Sequence, residues 1–166
     1  MINRQRQKYT EEIPSISHEE LVNRAFMYLS AIIGCSVVFK ERVSGSEIPD
    51  AIGYKGGWSY LIECKATRAD FLADKNKPFR SVPSQGMGYE RYYMTPIGLL
   101  DPDELPEGWG LLEVGEKAVK YRRVTVAKES GRFFDRNTEK EISYLVSAIR
   151  RINISMAVFV TPEGSI

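Results

Sequence analysis

Residues 48–75 read IPDAIGYKGGWSYLIECKATRADFLADK, and this stretch decides the fold. The run from Ser59 to Ala66, SYLIECKA, is short, mostly apolar at its start and preceded by two glycines, which is typical of a buried β-strand. Side chains on a strand alternate between the two faces of a sheet, so Glu63 and Lys65 share one face and Cys64 points to the other. The sequence therefore predicts two opposite charges side by side at the end of an apolar strand.

A second strand, from Asp50 to Tyr54, is predicted to pair with the first through the turn Lys55-Gly56-Gly57. In this hairpin we expect the carboxylates of Asp50 and Glu63 to converge. Buried charges are costly unless they have partners. A metal ion or a phosphate group would compensate the charges at such a site.

An amphipathic helix is predicted before the hairpin. Apolar residues recur at helical spacing from Leu21 to Ile33, and Ser17-x-x-Glu20 has the form of a capping box. A helical wheel places His18 near the middle of the apolar face, Glu19 at its edge and Glu20 on the far side. We therefore expect Glu19, ahead of Glu20, to be the acid that reaches the sheet. For His18, a packing or capping role is favoured over a role as ligand or base.

The remaining segments alternate between strands and helices. A capping box at Thr67 predicts a helix through Lys75, and residues 78–88 are predicted to form a loop or mobile flap. Strands are predicted at 35–39, 91–95, 108–114, 118–124 and 155–160, and a last helix from Asn137 or Thr138 that buries Ile142, Leu145, Val146 and Ile149. This order predicts an α/β fold, with α+β as the alternative, in which helices flank a central mixed β-sheet.

Length and composition limit the class of protein. With 166 residues, 43% of them hydrophobic, we expect a single domain over residues 1–166, with residues 1–14 as a flexible arm. A net charge of +1 argues against coating nucleic acid or an anionic membrane regardless of sequence. The separate Cys35 and Cys64 predict buried thiols in a reducing compartment. The chain has no apolar run of membrane-spanning length and no signal peptide, so we expect a cytoplasmic protein without membrane contact.

The hairpin residues suit metal-assisted hydrolysis of a phosphodiester. Mg²⁺ prefers oxygen ligands and usually takes one or two carboxylates together with water and phosphate. Asp50 and Glu63 fit as ligands of Mg²⁺, or of Mn²⁺, and the carbonyl oxygen of Cys64 fits as a third. Lys65 would hold the attacking water or neutralise charge on the phosphate. A solvated strand face is the purely structural alternative for this pattern.

Pro49-Asp50 followed by Glu63-Cys64-Lys65 resembles the motif of the PD-(D/E)xK nuclease superfamily, whose fold is the restriction-endonuclease-like fold. Within that superfamily, YLIECKATRADFLADK at 60–75 and ELPEGWGLLEV at 104–114 are similar to the MmcB-type DNA repair proteins of bacteria. The resemblance covers roughly residues 48–115. It implies a restriction-endonuclease-like core and a Mg²⁺-dependent DNA nuclease, or a nuclease-like protein, that acts in DNA repair.

The resemblance also implies roles for single residues. Asp50 and Glu63 would be metal ligands and Lys65 the catalytic lysine. Many members of the superfamily add a glutamate from the first helix, and His18, Glu19 and Glu20 compete for that place here.

Two classes of function follow from the sequence. We favour a metal-dependent nuclease because all three motif residues are present. A non-catalytic module that binds DNA or a protein partner through the same fold is the alternative. The cations predicted to contact DNA phosphates are Arg68, Lys75, Lys77, Arg80 and Arg91. The sequence leaves open whether the chain forms a homodimer and whether cleavage is endonucleolytic or exonucleolytic.

Overall fold

A six-stranded mixed β-sheet lies at the centre of the structure. The computed structural model describes residues 13–40, 49–115 and 124–151. The strands lie side by side in chain order: β1 (Val37–Lys40), β2 (Ala51–Lys55), β3 (Trp58–Cys64), β4 (Glu90–Pro96), β5 (Gly110–Val114) and β6 (Val124–Lys128). Strands β1 to β3 are antiparallel, β3 to β5 are parallel, and β6 returns antiparallel to β5.

Helices connect and cover these strands. They are α1 (His18–Met27), extended by a π-helical segment (Tyr28–Ile33), α2 (Arg68–Lys75), α3 (Pro78–Ser81) and α4 (Thr138–Arg151), with 3₁₀ turns at Pro83–Gln85 and Pro102–Glu104. Within the described ranges, none of these helices is both long enough and apolar enough to cross a membrane. The α/β fold class with a central mixed sheet, predicted from the sequence, is confirmed.

The helix ends lie where local sequence signals predict them. The hydroxyl of Ser17 accepts a hydrogen bond from the backbone N–H of Glu20 at 3.2 Å, which caps the start of α1. Gly34 ends the π-helical segment with a φ of +75°, in the left-handed region that glycine adopts readily. Thr67 caps α2 in the same way, by accepting from the N–H of Asp70. Short-range chemistry thus explains these boundaries.

The predicted hairpin is formed by β2 and β3. Its two turn residues, Gly56 and Gly57, have φ values of +56° and +86°, as a type I′ turn between right-twisted strands requires. The register pairs Ala51 with Ile62. Asp50, just before β2, therefore lies beside the end of β3, where Glu63 and Cys64 are found.

The two faces of the sheet bury different helices. On one face, Ile62 and Cys64 pack with Leu21 and Ala25 of α1. On the other, Leu61 packs with core residues from α2, α4 and the neighbouring strands: Phe71, Tyr93, Trp109, Leu111 and Tyr144. Because side chains alternate along β3, Glu63 belongs to the face of Leu61 and α2. The charged end of β3 is thus on the α2 side of the sheet.

The face that α4 buries is not the predicted one. The apolar residues predicted to be buried include Ile142, Val146 and Ile149, which are 60%, 43% and 52% exposed, so this prediction is wrong. The buried face instead carries Glu141, whose Oε1 accepts hydrogen bonds from the Ser59 hydroxyl at 2.6 Å and the Gly88 N–H at 2.8 Å. With Glu141 on the inner face, Tyr144 and Ala148 are the residues of α4 that are buried with it.

Other predicted segments differ in extent. The first strand is Val37–Lys40 instead of residues 35–39. Segment 78–88 contains α3 and a 3₁₀ turn, and Arg80 and Met87 within it are buried. The predicted strand at 118–124 lies outside the described residues except for Val124, which begins β6. The predicted strand at 155–160 and most of the predicted arm lie outside them as well.

Candidate functional site

Asp50, Glu63 and Lys65 meet at the end of the β2–β3 hairpin. The ammonium nitrogen of Lys65 lies 3.2 Å from Glu63 Oε2 and 3.9 Å from Asp50 Oδ2. Asp50 Oδ2 also accepts a hydrogen bond from the backbone N–H of Cys64 at 2.7 Å, which fixes the first carboxylate against the end of β3. The side chain of Cys64 points into the core on the α1 side. The hairpin register therefore brings together the three residues that the motif singles out.

Two further residues complete what we call the charged cluster: Asp50, Glu63, Lys65, Asp74 and Arg80. Asp74 comes from α2 and lies 3.6 Å from Lys65 Nζ. Arg80 comes from α3 and bridges two carboxylates, with Nη2 at 3.0 Å from Glu63 Oε1 and Nε at 2.8 Å from Asp74 Oδ2. Asp74 is buried, although it is charged. The cluster thus has a second half that the motif does not include.

Asp74 has more partners than any other carboxylate of the cluster in the described part of the chain. Both of its oxygens accept hydrogen bonds from Arg80, at 2.8 and 3.0 Å. Lys77 Nζ lies 2.8 Å from Oδ1, and the Tyr93 hydroxyl donates to Oδ2 at 2.9 Å. Charged bidentate pairs of this kind have strong and specific geometry. Asp74 therefore holds α2, α3 and β4 in register around the cluster.

The pKa values of the two buried carboxylates, Glu63 and Asp74, shift in opposite directions. Burial raises the pKa of Glu63 above its usual range, and the charges of Arg80 and Lys65 offset this only in part. Burial acts on Asp74 too, but the hydrogen bonds and charge of Arg80, aided by Lys65, hold the pKa of Asp74 below its usual range. The difference follows from hydrogen bonding, since Asp74 accepts bonds that Glu63 lacks.

Lys65 is a permanent cation at neutral pH. Burial alone would lower the pKa of its ammonium group, but the three surrounding carboxylates outweigh this effect and raise the pKa above its usual range. The group is therefore an electrostatic partner and a hydrogen-bond donor. This environment disfavours a neutral Lys65 amine that could accept a proton at neutral pH.

One oxygen of Glu63 lacks a hydrogen bond. Oε1 is buried and accepts none from the described residues, although Arg80 Nη2 lies close to it. The guanidinium of Arg80, with Nη2 at 3.0 Å, is the charged partner of this oxygen, and a carboxylate oxygen is also the type of ligand that a hard cation prefers. No group of three or more His, Cys, Asp or Glu placed to hold a metal ion is found within the described ranges. The protein would thus supply two carboxylates, from Asp50 and Glu63, which is a common number for Mg²⁺.

The first turn of α1 places His18 beside the cluster. His18 Nε2 lies 3.4 Å from Asp50 Oδ1. Glu19, the acid that the helical wheel favours, is exposed. Glu20 forms the capping interaction with Ser17 and an ion pair with Arg24 at 2.7 Å. Of His18, Glu19 and Glu20, His18 is therefore the residue that lies beside Asp50, a candidate metal ligand.

Three of the cations predicted to bind DNA lie around α2. Lys77 is half exposed and pairs with Asp74. Arg68, also half exposed, forms a bidentate pair with Glu104, and Lys75 donates to the carbonyl oxygen of the same residue. Surface pairs of this type contribute little to stability and exchange easily for other anions. These three cations thus lie on or just after α2, the helix that carries Asp74 of the cluster.

The other two predicted DNA contacts need correction. Arg91 is 1% exposed and donates to the carbonyl oxygens of Pro83, Gly86 and Gly88, so it anchors the segment 83–88 from inside and cannot reach a DNA backbone. Arg80 is also buried and belongs to the charged cluster. Both cations are inside because they compensate buried acceptors.

Sequence reasoning missed Asp74, although a signal exists. Asp74 follows Phe71 by three residues in a predicted helix, and residues at this spacing lie on one face. Phe71 is fully buried against the sheet, so Asp74 is carried inward with it. An acid on the apolar face of a helix that leaves the motif strand is therefore a site candidate.

Comparison with known proteins supports the fold alone. No protein-family model and no curated protein matches the chain. The solved structure of SPO1766, a protein of unknown function from Silicibacter pomeroyi, is similar with a TM-score of 0.57. The two chains are 19% identical, and the match covers 84% of this chain and 91% of the other. At this identity the likeness extends to the chain fold and carries no activity with it.

Proposed function

We propose that this protein is a metal-dependent DNA nuclease of the PD-(D/E)xK type, built on a restriction-endonuclease-like core. The observation that carries the proposal is the meeting of Asp50, Glu63 and Lys65, with the lysine nitrogen 3.9 Å and 3.2 Å from the two carboxylates. Two acids and a cation at this separation are within reach of one phosphodiester group. The resemblance to MmcB-type proteins favours DNA as the substrate and DNA repair as the setting.

Lys65 would act on the charge of the reacting phosphate. Its raised pKa keeps the ammonium group charged at neutral pH. In the transition state of hydrolysis, negative charge builds on the phosphate oxygens, and a fixed cation stabilises that charge more than it stabilises the substrate. Glu63 and Asp74 hold the ammonium in place before the substrate arrives. Lys65 is thus preorganised for turnover.

Asp50 and Glu63 would hold Mg²⁺ or Mn²⁺, together with the carbonyl oxygen of Cys64. The ion would supply an activated water molecule and positive charge at the phosphate. The carboxylate oxygens of both residues are hard donors of the kind that such an ion prefers, and Glu63 Oε1 is shared with Arg80 at 3.0 Å. Asp50 is oriented for this role by the Cys64 N–H, and its other oxygen faces His18.

A second function has an observation in its favour. The three carboxylates of the charged cluster are already matched by three nearby cations: Lys65, Lys77 and Arg80. An arrangement that balances its own charge needs no ion. The alternative is therefore a non-catalytic module that keeps the nuclease fold and binds DNA or a protein partner.

A cleavage assay run beside a binding assay separates the two functions. Single-stranded, duplex and branched DNA are incubated with Mg²⁺ or Mn²⁺, using wild type, Lys65→Met and the exposed control Lys55→Met, which lies at the turn end of the β2–β3 hairpin, opposite the end that carries Asp50. For a nuclease, Lys65→Met lowers cleavage about a hundredfold or more, the scale seen when one preorganised electrostatic group is removed. Its DNA affinity stays within a few-fold, and the control cleaves normally.

A binding module gives a different pattern. Wild type would cut none of these substrates, and Lys65→Met would weaken binding and lower the slope of log affinity against log salt by about one. That pair of results would reject the nuclease and leave the binding module as the function.

A further inference from the structure

A cavity of about 620 Å³ lies beside the charged cluster and shares Arg80 with it. Arg80 borders both, because its guanidinium contacts Glu63 and Asp74 while the side chain also lines the cavity. The walls come from α2, α3 and the segments before β5 and after β6. Cavities of roughly 300–1,000 Å³ are typical of small-molecule sites. This one therefore has room for a ligand next to the proposed reaction centre.

The lining of the cavity is cationic. Lys75, Arg80 and Arg132 line the cavity with three positive charges, of which that of Arg80 is already matched by Glu63 and Asp74, and Glu107 contributes one negative charge. Arg132 and Glu107 are exposed, so both can approach a ligand that enters from solvent. Cations of this kind, arginine above all, recognise phosphate groups. An anion fits this lining better than a neutral or cationic molecule.

The cavity also has flat, apolar parts. Phe133 lines it, and so do the rings of Pro83 and Pro106. The ring of Phe133 is held by the guanidinium of Arg91, which lies 4.1 Å from its centroid. Gly108 leaves room for this ring, because a Cβ there would lie 2.8 Å from Phe133 Cζ. An aromatic side chain fixed in this way offers a surface against which a nucleobase can stack.

We infer that this cavity binds one nucleotide unit of a nucleic acid strand, with its phosphate at Lys75 and Arg132 and its base against Phe133. The inference rests on the proposed function, since Arg80 then connects the bound nucleotide to the cluster that cuts the adjacent bond. It adds a substrate contact outside the motif. The required ligand has both an anionic group and a flat ring, and a nucleoside 5′-phosphate is the smallest unit of DNA with both.

Binding of thymidine 5′-monophosphate tests the inference without any cleavage. Its affinity is measured by NMR titration in a buffer with EDTA, so that the result does not depend on a metal ion. Thymidine and inorganic phosphate are the matched probes, each lacking one half of the ligand. We expect the monophosphate to bind more tightly than either and to shift resonances of Phe133 and Gly108.

Two variants of opposite charge give the sharper test. Arg132→Ala removes a cation from the cavity and should weaken binding of the monophosphate roughly threefold, a usual size for an exposed charge contact. Glu107→Gln removes the acid and should strengthen binding by a similar factor. Lys40→Ala, on β1 at the far edge of the sheet, changes the net charge like Arg132→Ala and should have no effect.

Three results would overturn the inference: equal affinity for thymidine and its monophosphate, no binding at millimolar concentration, or equal effects of the Arg132 and Lys40 variants. None of them bears on the cleavage assay with Lys65→Met. Conversely, nucleotide binding by a protein that cuts no DNA would keep the cavity as a nucleotide site and reject the nuclease.

Discussion

Asp74 and Glu63 share Lys65 and Arg80 as partners, yet their amide variants should change stability in opposite directions. Asp74→Asn removes the charge that faces Arg80, Lys77 and Lys65, at 2.8, 2.8 and 3.6 Å. Removing one partner of a buried ion pair costs about 3–5 kcal/mol. Because Tyr93 can still donate to the amide oxygen and Arg80 keeps Glu63, we expect a loss at the lower end, about 3 kcal/mol.

Glu63→Gln should raise the free energy of unfolding at neutral pH. The pKa of Glu63 is raised in the folded protein, so the fold favours the neutral form over the charged one. An amide resembles that neutral form in shape and charge. The two variants thus form a matched pair at neighbouring sites, with equal changes of charge and opposite expected signs.

The pH dependence of the stability of both variants follows from the directions of the two pKa shifts. The lowered pKa of Asp74 gives stability that is present above the ordinary aspartate value of about 3.9 and is lost as the pH falls through the folded-state value. The deficit of Asp74→Asn should therefore be constant above about pH 5 and shrink below it. The raised pKa of Glu63 makes its ionised form a cost that disappears as the pH falls toward about 4.3, so the advantage of Glu63→Gln should fade over that range.

Urea unfolding, followed by tryptophan fluorescence between pH 8 and pH 4.5, measures both differences. Trp109 is fully buried and stacks on Tyr93, 4.7 Å between ring centroids, so its emission reports on the core beside the cluster. A loss below about 1 kcal/mol for Asp74→Asn would refute the central role given to its ion pairs. So would a loss for Glu63→Gln as large as that for Asp74→Asn.

Three other predictions concern packing, the first helix and metal removal. Gly53→Ala should lower the free energy of unfolding by about 1–3 kcal/mol, because a Cβ there would lie 2.7 Å from Cys35 Sγ. Adding Cys35→Ala to this variant should recover part of the lost stability in a thermal melt, and no recovery would mean that the clash lies elsewhere. In the cleavage assay, His18→Gln should reduce turnover more than Glu19→Gln, since His18 lies 3.4 Å from Asp50; the reverse order would restore Glu19 as the fourth site residue. EDTA should leave the melting temperature unchanged within about 1 °C, because the cluster balances its own charge; a clear drop would reveal a structural ion.

The sequence predicts those parts of the fold that depend on neighbours along the chain. The Gly56-Gly57 turn sets the register of the hairpin, and this register brings Asp50 to Glu63. Ser17 and Thr67 set the starts of α1 and α2 through one hydrogen bond each. In each case a bond or turn spans only a few residues, so the pattern in the sequence contains the cause.

The parts that the sequence does not predict depend on contacts between distant segments. Arg80 enters the cluster from a stretch that resembles a loop, because α3 turns its side chain toward Glu63 and Asp74. Glu141 is 82 residues from Ser59 along the chain, and their hydrogen bond decides which face α4 buries. Hydrophobic periodicity assigns the buried face from apolar residues alone. It fails where a buried acid finds enough donors to compensate its desolvation.

The charged cluster can form without a metal ion, because it contains cations as well as carboxylates. Each carboxylate already has a cation within hydrogen-bond or ion-pair distance, so the site is assembled by the protein alone. An incoming ion at Asp50 and Glu63 must then compete with Lys65 and Arg80 for the same oxygens. That competition lowers the affinity for the ion, because the ammonium and guanidinium must give up contacts. A phosphate group reverses the balance, since it offers both cations new acceptors as the ion takes the carboxylates. If the proposed function holds, we therefore expect the metal to bind together with the nucleic acid and to bind only weakly on its own.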